Sequence, residues 1–159
     1  MDAAVKKKTL RLLSNGVYIL TARHEDEYGG ATVSWVSQAS FRPPLLMAAL
    51  RRESTVFQCL RESGFAALHV LGPEHRELAQ RFFKPTQAVD GRINEEPFEP
   101  GRTKSPILCS APAYVECRLR GVMDGEGDHA VVLLEVVEAE LRQSIQLMTI
   151  AESPWEYGG

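Results

Sequence analysis

The sequence predicts a mainly β domain with a few short helices (an α+β chain), whose strands pair antiparallel in a small Greek-key barrel. Segments of alternating apolar and polar residues follow one another across turns, as the strands of hairpins do. The helical segments are short, and no glycine-rich nucleotide fingerprint follows a strand. These observations disfavour the rival class, a doubly wound parallel sheet, which the strand–helix–strand order of residues 45–71 suggests.

Composition indicates one domain, residues 1–159, large enough to bury a substantial core. Of its residues 44% are apolar and 25% are charged, and the net charge of −3 gives no reason to expect a nucleic-acid partner. No apolar run approaches the roughly 20 residues of a membrane span, and the N-terminus lacks the apolar segment of a signal peptide. Cys59, Cys109 and Cys117 are widely spaced, which fits neither a disulfide framework nor a zinc site. We therefore expect a cytoplasmic protein without a metal.

The N-terminal part predicts a short helix and a hairpin. A helix up to about Leu13 is followed by a strand at 17–23 and by a second strand that ends at Pro43-Pro44. We expect the chain to turn between the two strands, where Gly29-Gly30 is free to adopt positive φ. The prolines cannot donate ladder hydrogen bonds, so they end the pairing and redirect the chain.

The middle of the chain predicts a helix that begins at an N-cap, Ser54, and ends at Gly64, with Val56, Phe57 and Leu60 on its apolar face. Further expected elements are buried strands at 45–51 and 65–71, a helix opening at 72–74, an irregular segment at 84–112, and strands at 113–122, 129–141 and 146–150.

The residue patterns of two strands predict which side chains are buried: strand 65–71 is apolar on both faces, whereas strand 113–122 alternates. His69 in the buried strand is expected to be a core histidine with satisfied hydrogen bonds. In strand 113–122, Glu116, Arg118 and Arg120 are expected to face solvent, while Val115, Cys117 and Leu119 face the core.

The strand after Gly29-Gly30 has polar side chains on one face and apolar side chains on the other. A half-exposed strand face without a ligand is one explanation, and the wall of a polar binding site is the other. The polar face has Thr32, Ser34, Gln38 and Ser40; the apolar face has Val33, Trp35, Ala39 and Phe41, interrupted only by Ser37.

Residues 51–55 combine the helix N-cap with two arginines, Arg51 and Arg52. The free N–H groups at a helix start and the helix dipole favour an anion, which makes a phosphate site one interpretation. The other is a capped surface helix whose solvated arginines are balanced by Glu53. Because strand 45–51 joins the polar strand to this helix, a ligand with a phosphate and a polyol chain would use both features.

Several motifs occur in a fixed order along residues 15–159. They are Thr32-Val33-Ser34, Ser37 to Ser40, Pro43-Pro44, Ser54-Thr55, Phe65 to Leu71, ELAQRFF at 77–83, GRTKSPIL at 101–108, AYVEC at 113–117 and GDH at 127–129. No single motif is specific, but the ordered set resembles the flavin reductase-like family, the FMN-binding split-barrel group. The closing WEYGG resembles the tail of flavin reductase modules found with flavodiiron proteins and rubredoxins.

The resemblance implies a split β-barrel homodimer that binds FMN near the subunit interface. It implies an NAD(P)H:FMN oxidoreductase that passes electrons from its nicotinamide co-substrate to the flavin and on to an acceptor, such as a redox partner protein. The residues implied in flavin contact are Thr32, Val33, Ser34, Trp35, Ser37 and Ser40. One of Phe82 and Phe83 is expected to cover the flavin edge, and Phe82 is the one assigned to the site. Those implied in phosphate binding are Ser54 and Thr55, with Arg51 or Arg52 as charge partner, and His129 is implied on the side where nicotinamide docks.

Two departures from the family pattern bear on nucleotide use. Trp35 stands where members often have Ser or Gly, and its indole would stack beside the flavin or narrow access to it. The family's loop motif T-G-x-P is replaced here by Thr103-Lys104-Ser105-Pro106. The loss of the glycine is expected either to change how this loop approaches the flavin or to let Lys104 reach a phosphate. The tail residues Trp155 and Tyr157 are expected to pack where the tail crosses the dimer partner.

The sequence is compatible with three functions. The favoured one is the NAD(P)H-dependent flavin reductase, in which His129 is catalytic rather than a solvated turn histidine. The second is a non-enzymatic, flavoredoxin-like FMN electron carrier reduced by a partner protein, which differs in having no space over the flavin for nicotinamide. The third is a cofactor-free or haem-handling barrel that retains only the fold. The Ser54-Thr55 phosphate pattern disfavours this third function.

Overall fold

A computed structural model describes residues 1–158, which form three short α-helices and eleven strands. The mainly β class predicted from the sequence is confirmed. The helices are α1 Ala3–Leu10, α2 Thr55–Ser63 and α3 Arg76–Arg81, the last preceded by a 3₁₀ turn, Pro73–His75. The strands are β1 Tyr18–His24, β2 Glu27–Val33, β3 Val36–Ser40, β4 Leu45–Arg51, β5 Phe65–Val70, β6 Ala88–Val89, β7 Arg92–Ile93, β8 Glu96–Pro100, β9 Pro106–Leu108, β10 Ala113–Met123 and β11 His129–Leu141.

Seven strands form one antiparallel sheet in the order β2-β1-β5-β10-β11-β4-β3. Strands β2 and β3 lie at opposite edges of this sheet, yet only Ser34 and Trp35 separate them in the chain. The sheet must therefore curl until its edges approach, while the Ala49 N–H continues the pairing of β3 with β4 by donating to the Trp35 carbonyl at 2.9 Å. The result is a split barrel that stays open between β2 and β3, and the predicted continuous second strand breaks at this point.

Strands β6 to β9 form a second, four-stranded sheet where the sequence predicted an irregular segment. That prediction was wrong because β6 and β7 have only two residues each, too few to show a period of two. Buried polar groups hold this sheet in place. The Asn94 amide donates to the Arg81 carbonyl, and the Glu96 carboxylate accepts from the Arg81 guanidinium at 3.1 Å and from the Ser110 N–H at 2.9 Å.

The core has two hydrophobic clusters. One fills the barrel and includes Leu20, Phe57 and Leu134; the other lies between the barrel and the second sheet and includes Phe82 and Ile93. Both clusters exclude water from their side chains, which is the main stabilising contribution of the fold. The two clusters meet next to the end of β2.

Gly29 and Gly30 lie within β2 rather than in a turn, so the prediction that they adopt positive φ was wrong. The turn is formed by Glu25, whose φ is 51°, and the residue after it. The glycines instead permit close packing. A Cβ at Gly29 would collide with the backbone of Val56, and one at Gly30 would lie 2.7 Å from the Phe82 ring. Their absent side chains let α2 and Phe82 approach the sheet.

Glu116 was predicted to face solvent, but it is 1% exposed. The alternation of β10 is as predicted, with Val115, Cys117 and Leu119 packed in the barrel core, but the loop of residues 101–105 covers the carboxylate on the opposite face. There it accepts from the backbone N–H groups of Arg102 and Thr103 at 2.9 and 2.6 Å. The buried carboxylate therefore holds the loop of residues 101–105 against the barrel.

We expect Glu116→Gln to lower the free energy of unfolding by about 2 kcal/mol. The amide has the same shape, but it loses the charge and turns one N–H donor toward the N–H groups of this loop. Urea unfolding of the variant and of Arg118→Gln, an exposed neighbour on the same strand, measures the effect. Equal stability of the two variants would contradict this account of the loop.

Other predictions have mixed outcomes. The helix after Ser54 and the strands at 17–23, 65–71 and 129–141 are confirmed, and the first helix ends earlier, at Leu10. The strand at 146–150 was wrong, because only a single bridge between Gly16 and Thr149 forms. Strand β4 is half-buried rather than buried, with Met47 46% exposed. The three cysteines are free, and no helix within residues 1–158 is long and apolar enough to cross a membrane.

Candidate functional site

A cleft of about 830 Å³ opens where β2 and β3 part, a volume typical of small-molecule sites. One wall is the end of β2 with the link to β3. The floor and far end are formed by the end of β4 and the start of α2, and the opposite wall by segments 82–86 and 150–157. The predicted site residues that line it are Thr32, Val33, Ser34, Trp35, Arg51, Ser54, Thr55, Phe82 and His129.

The hydroxyl groups along the first wall have different environments. The Thr32 hydroxyl donates to the Ala79 carbonyl at 2.6 Å, so its proton is already used in a hydrogen bond within the protein. Ser34 is only 5% exposed, and its Oγ atom has no hydrogen-bond partner within residues 1–158. A buried hydroxyl without a partner is costly, so this atom is the one on the wall best placed to bind a polar ligand group.

Ser37 and Ser40 do not line the cleft. They lie on β3, beyond the point where the chain crosses from one edge of the barrel to the other. The Ser37 hydroxyl donates to the Gln38 carbonyl at 3.1 Å. The row of hydroxyls expected from alternation is thus interrupted by the break after Ser34, and flavin contacts of Ser37 and Ser40 stay predictions.

The start of α2 closes one end of the cleft. Ser54 is its N-cap, and the Ser54 Oγ atom accepts from the Phe57 N–H at 3.3 Å and donates to the Arg51 carbonyl at 2.7 Å. Arg52 points away from the cleft and pairs with Asp124 at 2.7 Å. Of the two arginines, Arg51 is therefore the one that faces the helix N-terminus inside the cleft. A helix start with one arginine is suited to bind a phosphate.

His129 begins β11 and lies opposite Arg51 in the register of β4 and β11. Its Nδ1 atom is 2.7 Å from a carboxylate oxygen of Asp128, and its Nε2 atom is 3.1 Å from the Tyr157 hydroxyl. The hydrogen bond from His129 holds the pKa of Asp128 below its usual value. The His129 ring also contacts the Trp35 indole, with ring centroids 4.7 Å apart. The imidazole is thus oriented on three sides.

The C-terminal segment is a part of the site that the sequence did not predict. Tyr157 contacts Trp35, with ring centroids 5.3 Å apart, and Trp155 meets Phe83 edge-on at 4.9 Å. These aromatic residues were expected to cross to a dimer partner, but in this chain they cover its own cleft. No local pattern identifies these contacts, because they join residues 122 and 72 positions apart in the chain.

Of the two remaining predicted site residues, Phe82 lines the cleft and Lys104 does not. The Phe82 ring is 2% exposed and packs over Gly30, so it is a core residue that also lines the cleft. Lys104 lies in the loop held by Glu116 and does not line the cleft. Its φ of 66° is the left-handed conformation that glycine favours, so a glycine at this position, as in the T-G-x-P motif, would adopt the same backbone without strain. A phosphate contact of Lys104 stays a prediction.

The residues of the cleft fit a flavin mononucleotide. The helix start with Arg51 suits its phosphate, the unpartnered Ser34 hydroxyl suits its polyol chain, and the rings of Trp35 and His129 suit a flat aromatic system. Within residues 1–158, no three His, Cys, Asp or Glu side chains are arranged to hold a metal ion.

A family model described as flavin reductase like domain matches residues 10–152. The chain belongs to the flavin reductase-like family. Among its relatives, the flavin reductase (NADH) of Kitasatospora aureofaciens is 34% identical over 136 residues, covering 84% of this chain and 69% of that protein. The reductase component of 4-nitrophenol 4-monooxygenase/4-nitrocatechol 2-monooxygenase from Rhodococcus opacus is 28% identical over 142 residues, covering 88% and 73%.

Solved flavin reductase-like structures have the same fold. The NADH:FAD oxidoreductase SgcE6 of Streptomyces globisporus superposes with a TM-score of 0.76 at 24% identity, covering 87% of this chain and 84% of that one. The chain also matches diflavin flavoproteins from Nostoc and Synechocystis, of whose length it spans about a quarter.

Proposed function

We propose that this protein is an NAD(P)H-dependent flavin reductase that binds FMN in the cleft and passes its electrons to an acceptor. The observation that supports this most directly is the buried, unpartnered Ser34 hydroxyl on the wall that leads to the start of α2. The family membership and the names of its relatives, flavin reductase (NADH) and NADH:FAD oxidoreductase, support the reaction class. We assign FMN as the flavin because Arg51 and the α2 start offer one anion site at the end of the cleft.

The protein's part in this reaction is binding and orientation. Ser54 and Thr55 present the start of α2 to the phosphate, and Arg51 adds its positive charge. Ser34 donates to the polyol chain, which gives its buried hydroxyl a partner. Phe82 supplies an apolar surface beside the flavin, since its ring is fixed in the core.

A bound flavin would supply the redox chemistry by accepting a hydride from reduced nicotinamide, so the reaction needs no acid–base pair from the protein. What the chain must do is hold two flat rings against each other and exclude water. Trp35 and His129 form the aromatic end of the cleft where the nicotinamide ring would bind. Asp128 orients His129 there by its hydrogen bond to Nδ1.

We further propose that the protein is a homodimer and that its reduced flavin goes to a partner monooxygenase or flavoprotein. Large apolar side chains are exposed on the half of the barrel formed by β3, β4, β10 and β11. They are Phe41 at 90%, Met47 at 46%, Met123 at 72% and Leu141 at 71% exposure. Apolar surface of this kind is typical of protein interfaces. Sedimentation equilibrium measures the mass, and a monomer at micromolar concentration would contradict the dimer.

The test of the reaction is an anaerobic absorbance titration of the FMN-loaded protein with NADH and then with NADPH. We expect rapid bleaching of the flavin band by at least one nucleotide, and the faster one identifies the donor. Bleaching by dithionite with no response to either nucleotide would overturn the reductase proposal. That result would favour the electron carrier, which shares the same flavin site.

A further inference from the structure

The C-terminal tail, residues 150–158, lies along the cleft and makes a hydrogen bond to His129 through Tyr157. We propose that this tail is a latch on His129, and that Tyr157 must release the imidazole before a nicotinamide nucleotide can bind beside the flavin. The inference rests on the proposed function for the identity of the nucleotide. The latch itself is defined by contacts of this chain alone.

Tyr157 closes the aromatic end of the cleft. Its ring contacts Trp35, with centroids 5.3 Å apart, and its hydroxyl is 3.1 Å from His129 Nε2. Trp155 extends the cover along the cleft by its edge-on contact with Phe83 at 4.9 Å. The two tail aromatics therefore stand where a second flat ring would have to enter.

The hydrogen bonds of His129 determine its tautomer. The Asp128 carboxylate can only accept, so His129 Nδ1 carries the proton and donates it at 2.7 Å. In the neutral ring Nε2 is then an acceptor, and the Tyr157 hydroxyl donates to it. Both ring nitrogens are thus occupied while the tail is closed. A ligand gains access to Nε2 only when Tyr157 leaves.

The tail is firmly attached at one end and weakly at the other. Upstream, the Met148 N–H donates to the Leu71 carbonyl, and Met148 is 1% exposed. Downstream, Arg11 pairs with the Glu156 carboxylate at 2.9 Å and donates from Nε to the Gly158 carbonyl at 3.1 Å. Between these points, residues 151–157 run as turns and coil. The segment can therefore swing about its upstream end when the downstream contacts open.

The downstream anchor is suited to an easily reversed closure. The Glu156 side chain is 76% exposed, and exposed ion pairs change populations only a few-fold. Arg11 follows α1, and every residue of α1 is exposed or half-buried, so the anchoring helix is itself loosely attached. This anchor therefore adds little to the stability of the closed tail, and a nucleotide that competes with the aromatic contacts in the cleft can shift the balance toward the open tail.

The first experiment measures tail opening in the flavin-free protein. Arg11→Gln removes the downstream anchor without touching the cleft, and Lys8→Gln on α1 is the matched charge control. We expect chymotrypsin to cleave after Trp155 and Tyr157 about fivefold faster in Arg11→Gln and within about twofold of the wild type in Lys8→Gln. Equal cleavage rates in all three proteins would overturn the latch.

The second experiment tests Tyr157 as a positioning residue. Tyr157→Phe keeps the ring against Trp35 but removes the hydroxyl from His129. We expect the ¹⁵N resonance of His129 Nε2 to move to the position of a nitrogen without a donor. In the FMN-loaded variant we expect NADH and NADPH association rates to rise about threefold, with FMN affinity unchanged. An unmoved resonance, or slower association, would overturn the proposal.

The two proposals fail in different ways. If the wild type oxidises neither nucleotide, the reductase function is overturned, while cleavage and NMR of the flavin-free protein still decide whether the tail latches His129. If the wild type is a reductase but both flavin-free measurements show no change in the variants, the latch alone is overturned.

Discussion

Changing Arg51→Gln and Ser54→Asp together is expected to weaken FMN binding at least about 100-fold without unfolding the protein. Arg51 is the arginine that faces the cleft, since Arg52 pairs with Asp124 at 2.7 Å. Aspartate is as good an N-cap as serine, so α2 keeps its first turn. Its carboxylate, however, stands where the phosphate would bind and repels it. Titration of FMN fluorescence against protein measures the affinity.

The matched control is Arg118→Gln, which removes an arginine from the exposed face of β10. We expect this control to bind FMN like the wild type, and all three proteins to unfold at similar temperatures. If the double variant bound FMN with nearly wild-type affinity, the assignment of the phosphate to the start of α2 would be wrong. A selective loss in the double variant would place the phosphate beside Ser54.

The stability of the protein is expected to fall by about 3 kcal/mol as the pH is lowered from 6.5 to 4, because of His69. The side chain is completely buried; its Nδ1 donates to the Ile19 carbonyl at 3.0 Å, and its Nε2 accepts from the Leu108 N–H at 3.1 Å. Burial lowers the pKa of His69 to about 4, against a usual 6.5, and the charge of Arg142 adds to this effect.

The direction of this pH dependence follows from the number of protons that the unfolded and the folded states bind. Between pH 6.5 and 4 the unfolded chain protonates this imidazole while the folded protein does not, so protons favour unfolding. The stability is fully present above pH 6.5 and is lost as the pH falls toward 4. Urea unfolding at several pH values measures this slope. We expect the pH dependence of the free energy of unfolding to be weaker in His69→Gln. The control is His24→Gln, at the end of β1, in which we expect the pH dependence to be retained. An unchanged pH dependence in His69→Gln would contradict its assignment to His69.

The parts of the fold that the sequence predicted correctly are those with a local cause. The cap at Ser54 and the αL glycine at Gly64 satisfy backbone groups of α2 itself, so they can be recognised without the rest of the chain. The long run of β-branched and other apolar residues at 129–141 likewise indicated a strand by itself, and in the structure its first half is buried on alternate residues. The satisfied core histidine, His69, followed from its place in an apolar strand.

The errors have a different cause. Glu116 is buried because the loop of residues 101–105 folds over its side chain, and a covering segment is not visible in the pattern of a single strand. The role of Gly29 as a close-packing position depends on α2, whose backbone it meets. The second sheet is built from strands too short to leave a periodic pattern. In each case the deciding partner is distant in the sequence.

The same distinction between local and long-range causes applies to the candidate site. By itself, the sequence determined the local chemistry: a capped helix start behind two arginines, a polar strand and the ordered motifs of a flavin reductase-like chain. Only the tertiary structure decided which arginine faces the cleft, which hydroxyl is left without a partner, and that Tyr157 reaches His129. The physical reason is that caps and strand periods depend on neighbouring residues, whereas a cleft is formed by segments that meet only when the barrel closes around its core.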